Sequence, residues 1–197
     1  MPSQAASPQD LEFQPVTPER WRDLEALFGE HGAYGGCWCM WWRLTRSEFA
    51  KQLGQGNKEA LKRIVDAGEI PGLLAYADGR PVAWCSVAPR ETFPALERSR
   101  TLKRVDDKPV WSIVCFFIAK SARRKGVMQK LLRAAVEYAR AHGAKIVEGY
   151  PVEPTGSLSG SSGFTGVVST FRQAGFVEVL RRSRAQPIMR CYVGEQQ

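Results

Sequence analysis

The stretch that decides the fold runs from Val110 to Tyr150: VWSIVCFFIAKSARRKGVMQKLLRAAVEYARAHGAKIVEGY. Its opening, Val110 to Ile118, is β-branched and aromatic with one polar interruption at Ser112, as expected of a central strand covered on both faces. From Gly126 to His142 the apolar positions 128, 131, 132, 135, 136 and 139 repeat with a helical period, and Gly143 supplies a stop. Lys145 to Tyr150 then reads as a second strand. Together they predict a strand, crossover helix and strand, which makes the two strands parallel.

The junction between strand and helix carries the first chemical signal. A helix N-terminus presents unpaired backbone N–H groups and the positive end of its dipole, so it attracts anions. Here Arg123, Arg124 and Lys125 lead directly into Gly126, whose missing Cβ lets a ligand approach the backbone. On charge and spacing this is a diphosphate cradle; the other reading is a basic, solvated turn.

Outward from this unit, Leu11–Val16 reads as a strand and Pro18–Phe28 as a helix with Thr17 as its N-cap. Ser47–Leu53 and Lys58–Ala67 read as two further helices. Gly72–Ala77, the turn Asp78-Gly79-Arg80 and Pro81–Ala88 form a hairpin, and 90–108 is a polar, basic loop or short helix. Downstream, 151–166 is rich in Gly, Ser and Pro and is expected to be a mobile loop. A helix at Val167–Ala174 and strands at Phe176–Leu180 and Pro187–Val193 close the chain. Residues 1–9 are expected to be a flexible tail and 10–195 a single domain.

Composition narrows the function classes. With 44% hydrophobic and 24% charged residues in 197, the chain has the make-up of an ordinary globular domain. Its longest apolar run falls well short of the ~20 residues a membrane helix needs. The first residues lack the basic and apolar segments of a secretory signal, so a cytoplasmic location is expected. Five cysteines, an odd number, are then expected to be reduced thiols rather than a disulfide framework. The formal charge of +8 favours an anionic partner, with nucleic acid, membrane surface and phosphate-rich cofactor all open.

At Arg123-Arg124-Lys125-Gly126-Val127-Met128 the sequence resembles the GCN5-related N-acetyltransferases (GNAT), which carry Arg/Gln-x-x-Gly-x-Gly/Ala between a strand and a helix. It matches at the arginine and the first glycine and departs at Met128. Phe171-Arg172-Gln173-Ala174-Gly175-Phe176 is similar to the family's helix-to-strand segment ending in Gly-Phe, and the element order fits from residue 11 to 193. The resemblance implies an α/β (α+β) fold, a mixed and mostly antiparallel sheet flanked by helices. It implies acetyl-CoA as acyl donor, with backbone groups of Phe117 and Ile118 near the pantetheine. Amides from Arg124 to Gln129 would meet the diphosphate, Met128 pointing outward or crowding the turn. It further implies direct attack of a primary amine of a small molecule or peptide. Many relatives place a tyrosine at the position of Phe171 to protonate the leaving thiolate, which a phenyl ring cannot do.

Two groups of residues are candidates for the rest of the chemistry. Trp38, Trp41 and Trp42 lie where relatives build the acceptor site; they select the substrate or they fill core. Glu148 and Tyr150 are two apart on a strand and share a face. Glu148 is thus the candidate base and Tyr150 the replacement hydroxyl, unless Glu148 is a solvated surface carboxylate. No metal is expected, because Cys37-x-Cys39 lacks a second pair for zinc. A reactive thiol pair is the other reading of these cysteines, with Arg43 near enough to lower a thiol pKa. His142 reads as a dipole partner at a helix end. Two alternatives remain: a basic nucleic-acid-binding module using Arg181, Arg182 and Arg184, and a non-catalytic acyl-CoA sensor. A homodimer is compatible with each.

Overall fold

A computed structural model describes residues 11–154 and 163–194; the expected tail at 1–9 lies outside them. One seven-stranded sheet runs through the chain in the order β1-β2-β3-β4-β5-β7-β6, with β1 at Glu12–Pro15, β2 at Gly72–Ala77 and β3 at Arg80–Pro89. The others are β4 at Trp111–Ile118, β5 at Ile146–Gly149, β6 at Val177–Leu180 and β7 at Ile188–Tyr192. Among the strands of the described residues only β4 and β5 pair in parallel, the other strand pairs being antiparallel, and an isolated parallel bridge joins Val152 to Val167. The mixed, mostly antiparallel sheet flanked by helices is therefore the architecture present.

Helices cover both faces. On one lie α1 (Trp21–Phe28), α2 (Arg46–Lys51), α3 (Gln55–Asp66) and the one-turn α4 (Pro94–Glu97), burying Leu24, Leu61 and Leu96 against Trp84. On the other lie α5 (Val127–Ala141) and α6 (Val168–Gln173). The α5 stripe Val127, Leu131, Leu132, Ala135, Val136 and Ala139 is buried on that face with Phe116 and Phe171. At roughly 1.5–3 kcal/mol for each large aliphatic side chain, this stripe is what holds α5 to the sheet.

Local differences from the sequence reading have local causes. The α2 helix starts at Arg46 because Thr45 and Glu48 form a reciprocal capping box. Thr17, expected as an N-cap, makes no capping bond; Pro18 instead opens a 3₁₀ turn ahead of α1. The segment 151–166 is not loose at its described ends. Val152 N–H donates to Gly166 C=O at 2.9 Å, and Phe116 N–H on β4 donates to Phe164 C=O at 2.6 Å. Residues 155–162 lie outside the described part.

Candidate functional site

The parallel pair β4/β5 is in register only from Trp111↔Val147 to Ile113↔Gly149, so the strands part while β4 continues to Ile118. Backbone alternation assigns the groups that line this gap. Ala119 N–H donates to Val82 C=O on β3, so Phe117, two residues back, also spends its backbone groups on β3. The gap receives Phe116 and Ile118 instead. Of these, Phe116 N–H is bonded to Phe164, and Ile118 C=O accepts from Arg123 Nε at 3.0 Å. This corrects the expected role of Phe117: its ring, not its backbone, is what remains available, and that ring packs edge-on to Phe28.

Beyond Ile118 a 3₁₀ turn at Lys120–Ala122 leads to two left-handed residues, Arg124 (φ 60°) and Gly126 (φ 73°). They reverse the chain so that α5 starts with its N-terminus beside the end of β4. The first helical bond is Lys130 N–H to Gly126 C=O at 3.2 Å, so the amides of Val127, Met128 and Gln129 have no partner within the helix. Arg123, Arg124, Lys125 and Gly126 are exposed. Met128 neither points out nor crowds the turn; half-buried, it packs with the apolar side chains beneath α5. Gln129 bonds Gln173 of α6 at 3.2 Å, and Val127 is buried, contributing only its amide.

This arrangement, a parallel pair that parts beside a basic helix N-terminus, coincides with a sequence match. The model of the acetyltransferase (GNAT) family matches residues 38–154, more than half of the chain. The protein belongs to the GNAT acetyltransferase family. The GNAT fold is also that of many solved structures. Among them are an acetyltransferase of Listeria monocytogenes (TM-score 0.58, 7% identity, covering 92% of this chain and 94% of that one) and the PaiA N-acetyltransferase of Thermoplasma acidophilum in complex with coenzyme A (0.54, 13%, 93% and 99%). The ribosomal-protein-alanine N-acetyltransferase of Brucella melitensis is a third (0.52, 16%, 92% and 99%). At these identities the likeness is one of fold. No curated protein matches the chain in sequence.

In this GNAT domain Glu148 and Tyr150 do share a face, joined by a 2.7 Å hydrogen bond, but their surroundings are not those of a base and an acid. Glu148 is 1% exposed. Its Oε1 accepts from Arg90 Nη1 and its Oε2 from Arg190 Nε, both at 2.8 Å. Tyr150 is fully buried, and its hydroxyl meets Arg90 at 2.6 Å and Ser112 at 2.8 Å. Burial and the Glu148 carboxylate push that hydroxyl well above its ordinary pKa. A buried carboxylate held by two guanidinium groups is not a solvated surface group, and it is placed as a structural ion pair rather than as a general base. The pair fastens the 90–108 segment and β7 to β5. Phe171 is enclosed as well, since a Cβ on Gly149 or on Gly166 would collide with its ring.

Asp106 completes this cluster from outside. Two bonds from Arg190, at 2.7 and 3.0 Å, hold its partly exposed carboxyl down to about 2. A folded-state pKa below the unfolded value of about 3.9 stabilises the fold above that pH, and the contribution fades as pH falls through about 2. Asp106→Asn is therefore expected to lower the urea midpoint at pH 7 and to converge on the parent as the pH approaches 2. An equal deficit at both pH values would mean the ion pair is not its source.

The tryptophans do not form one box. Trp38 and Trp42 are buried, Trp38 stacked on Trp21 with ring centroids 6.0 Å apart. The indole N–H of Trp42 donates to Val114 C=O at 3.0 Å, where a bulge leaves Val114 without a partner on β3. Trp41 is half-buried, with the Arg46 guanidinium 3.3 Å above its ring. An open cleft of about 550 Å³, walled by Met40, Arg43, Leu44, Arg63, Ile64 and Glu69, lies on the same segment but is lined by none of these three tryptophans. Arg43 lies over the Phe93 ring with its Nε unpartnered, and burial pulls it down to about 10.

The residues missed by sequence reading are Arg90 and Arg190. A charge inside the apolar strand Ile188–Tyr192 was the available signal, because a buried arginine requires a partner. The basic run at 181–184 is partly committed: Arg181 bridges Glu153 and Glu178, and Arg182 bonds the carbonyls of Thr101, Lys103 and Arg104. Among the described residues no helix is long and apolar enough to cross a membrane, and no group of three or more His, Cys, Asp or Glu side chains is placed to hold a metal ion.

Proposed function

We propose that the protein is a cytoplasmic N-acetyltransferase that moves the acetyl group of acetyl-CoA to a primary amine of a small molecule or peptide by direct attack. The observation that carries this reading is the left-handed turn at Arg124 and Gly126, which leaves three amides without partners inside the helix and a run of exposed basic residues at the start of α5, just after β4 has parted from β5. Backbone donors and positive charge at a helix N-terminus suit a diphosphate. The Thermoplasma neighbour, solved with coenzyme A, supports the same ligand.

In direct attack the amine nitrogen forms a bond to the acetyl carbon while the carbon–sulfur bond breaks. In this reading the proton leaving nitrogen passes to water, because the expected base Glu148 is already bonded to Arg90, Arg190 and Tyr150. The CoA thiolate departs without an acid, as a thiol pKa near 8.5 permits. Acceptor docking falls to the cleft beside Met40 and Arg43 and to the open side of Trp41.

The test measures CoA thiol release from acetyl-CoA across a panel of primary amines, with mass spectrometry of the product. Amine-dependent release and N-acetylated product are expected. Trp41→Ala is expected to raise the acceptor KM while leaving acetyl-CoA affinity unchanged. A second reading, an acyl-CoA sensor, is favoured by the enclosed Phe171 and the saturated Glu148; tight acetyl-CoA binding without release by any amine would establish it.

A further inference from the structure

The segment between α1 and α2 and the middle of β4 bring two cysteine sulfurs into contact, with a third cysteine two residues away in sequence. Cys39 Sγ lies 3.3 Å from Cys115 Sγ, and Cys37, two residues before Cys39, turns its Sγ to the Gly32 carbonyl at 3.7 Å. Cys39 and Cys115 are buried, whereas Cys37 is half-buried and forms the outer end. The backbone is distorted to achieve this: Trp38 (φ 42°) and Cys39 (φ 54°) are both left-handed. Non-glycine residues in that region cost roughly 1–2 kcal/mol each, and such strain concentrates at functional positions. Here it turns the Cys39 thiol inward onto β4. The Trp42 bond to Val114 and the bonds of Gly54 N–H and Asn57 Nδ2 to Gly36 C=O hold the segment in place.

We propose that Cys37, Cys39 and Cys115 form a thiol relay that is oxidised by hydroperoxides and ends in a Cys39–Cys115 disulfide. Cys37 is the least buried of the three, and its interaction with Cys39 pulls its thiol down to about 6 against the opposing effect of burial, which makes it the entry point for an oxidant. Burial pushes Cys39 and Cys85 well up and Cys191 up. The Cys37 thiolate attacks the hydroperoxide, forming an S–O bond as the O–O bond breaks; the departing alkoxide or hydroxide takes a proton from water. The Cys39 sulfur then attacks the sulfenic sulfur, an S–S bond replaces the S–O bond, and water leaves with the Cys39 proton. Cys115 finally attacks Cys39, its proton passing to the Cys37 sulfur that is released. In total two thiols lose two electrons and two protons, and the hydroperoxide becomes an alcohol, or water, plus water. Closing 3.3 Å to a disulfide near 2.05 Å needs a shift of only about 1.3 Å.

The relay is independent of whether the protein transfers acetyl groups, and its test is separate. Reduced protein is treated with hydrogen peroxide, alkylated and mapped by mass spectrometry. The expected product is monomeric and has lost two thiols of its five, with Cys39 and Cys115 in one crosslinked pair that dithiothreitol reopens. Cys37→Ser, and Cys37→Ala should the first fail to fold by circular dichroism, should slow crosslinking at least ~10-fold. Cys191→Ser should leave the rate unchanged. Cys115→Ser should stop at a Cys37–Cys39 disulfide or a dimedone-reactive Cys37. Oxidation of Cys191 as fast as Cys37, an intermolecular disulfide, or sulfinic acid without an internal disulfide would overturn the proposal.

Discussion

Replacing Glu148 by glutamine is expected to destabilise the fold by about 3 kcal/mol or more, the range for removing one partner of a buried ion pair. Both carboxylate oxygens are engaged, by Arg90 and Tyr150 on one side and by Arg190 on the other. An amide can still accept on one side, but its NH₂ group then faces a guanidinium, donor against donor. Two buried arginines lose their shared anion, although Glu97 and Asp106 still pair with them from the periphery. For a domain of this length the loss corresponds to a fall in Tm of roughly 6–12 °C. The urea midpoint of the variant is the measurement, with acetyl-CoA affinity as the companion. A parental midpoint together with a kcat lowered about 10²-fold would restore Glu148 as the base.

The strand, helix and strand at 110–150 were legible because the signals are local. An apolar β-branched run, a helical period and a stop glycine each need only neighbouring residues. The parity that puts Glu148 and Tyr150 on one face is local too, and it held. What surrounds that face was not legible, because Arg90 and Arg190 stand 58 and 42 positions from Glu148. A carboxylate looks the same in sequence whether water, an amine or two guanidinium groups face it. The same limit applies at Phe117, whose backbone direction depends on the register with β3, and at Cys39, whose partner Cys115 lies 76 residues away. The tryptophans were readable as an aromatic cluster. Which of them is reachable was decided by left-handed residues at 38 and 39 that no propensity anticipates.

The phosphate cradle proposed at the start of α5 gives the other large effect: Gly126→Val is expected to weaken acetyl-CoA binding at least about tenfold, or roughly 1.4 kcal/mol. Two causes combine at this position. Gly126 sits at φ 73°, where a β-branched residue costs roughly 1–2 kcal/mol, and relaxing that strain would swing the amides of Val127 to Gln129 away from their common direction. Separately, a Cβ at Gly126 meets no protein atom beyond its chain neighbours within 4 Å, so it projects into open space. The fold therefore has room for the side chain, its cost being the backbone strain alone, whereas a diphosphate bound at this turn would meet it. Gly126→Asn separates the causes, since asparagine accepts the left-handed conformation yet carries a Cβ. If obstruction dominates, both variants lose affinity and only valine loses stability. If strain dominates, asparagine binds as the parent does. Calorimetric titration with acetyl-CoA beside a melting curve reads both quantities, and parental affinity with parental Tm in the valine variant would place the coenzyme elsewhere on the domain.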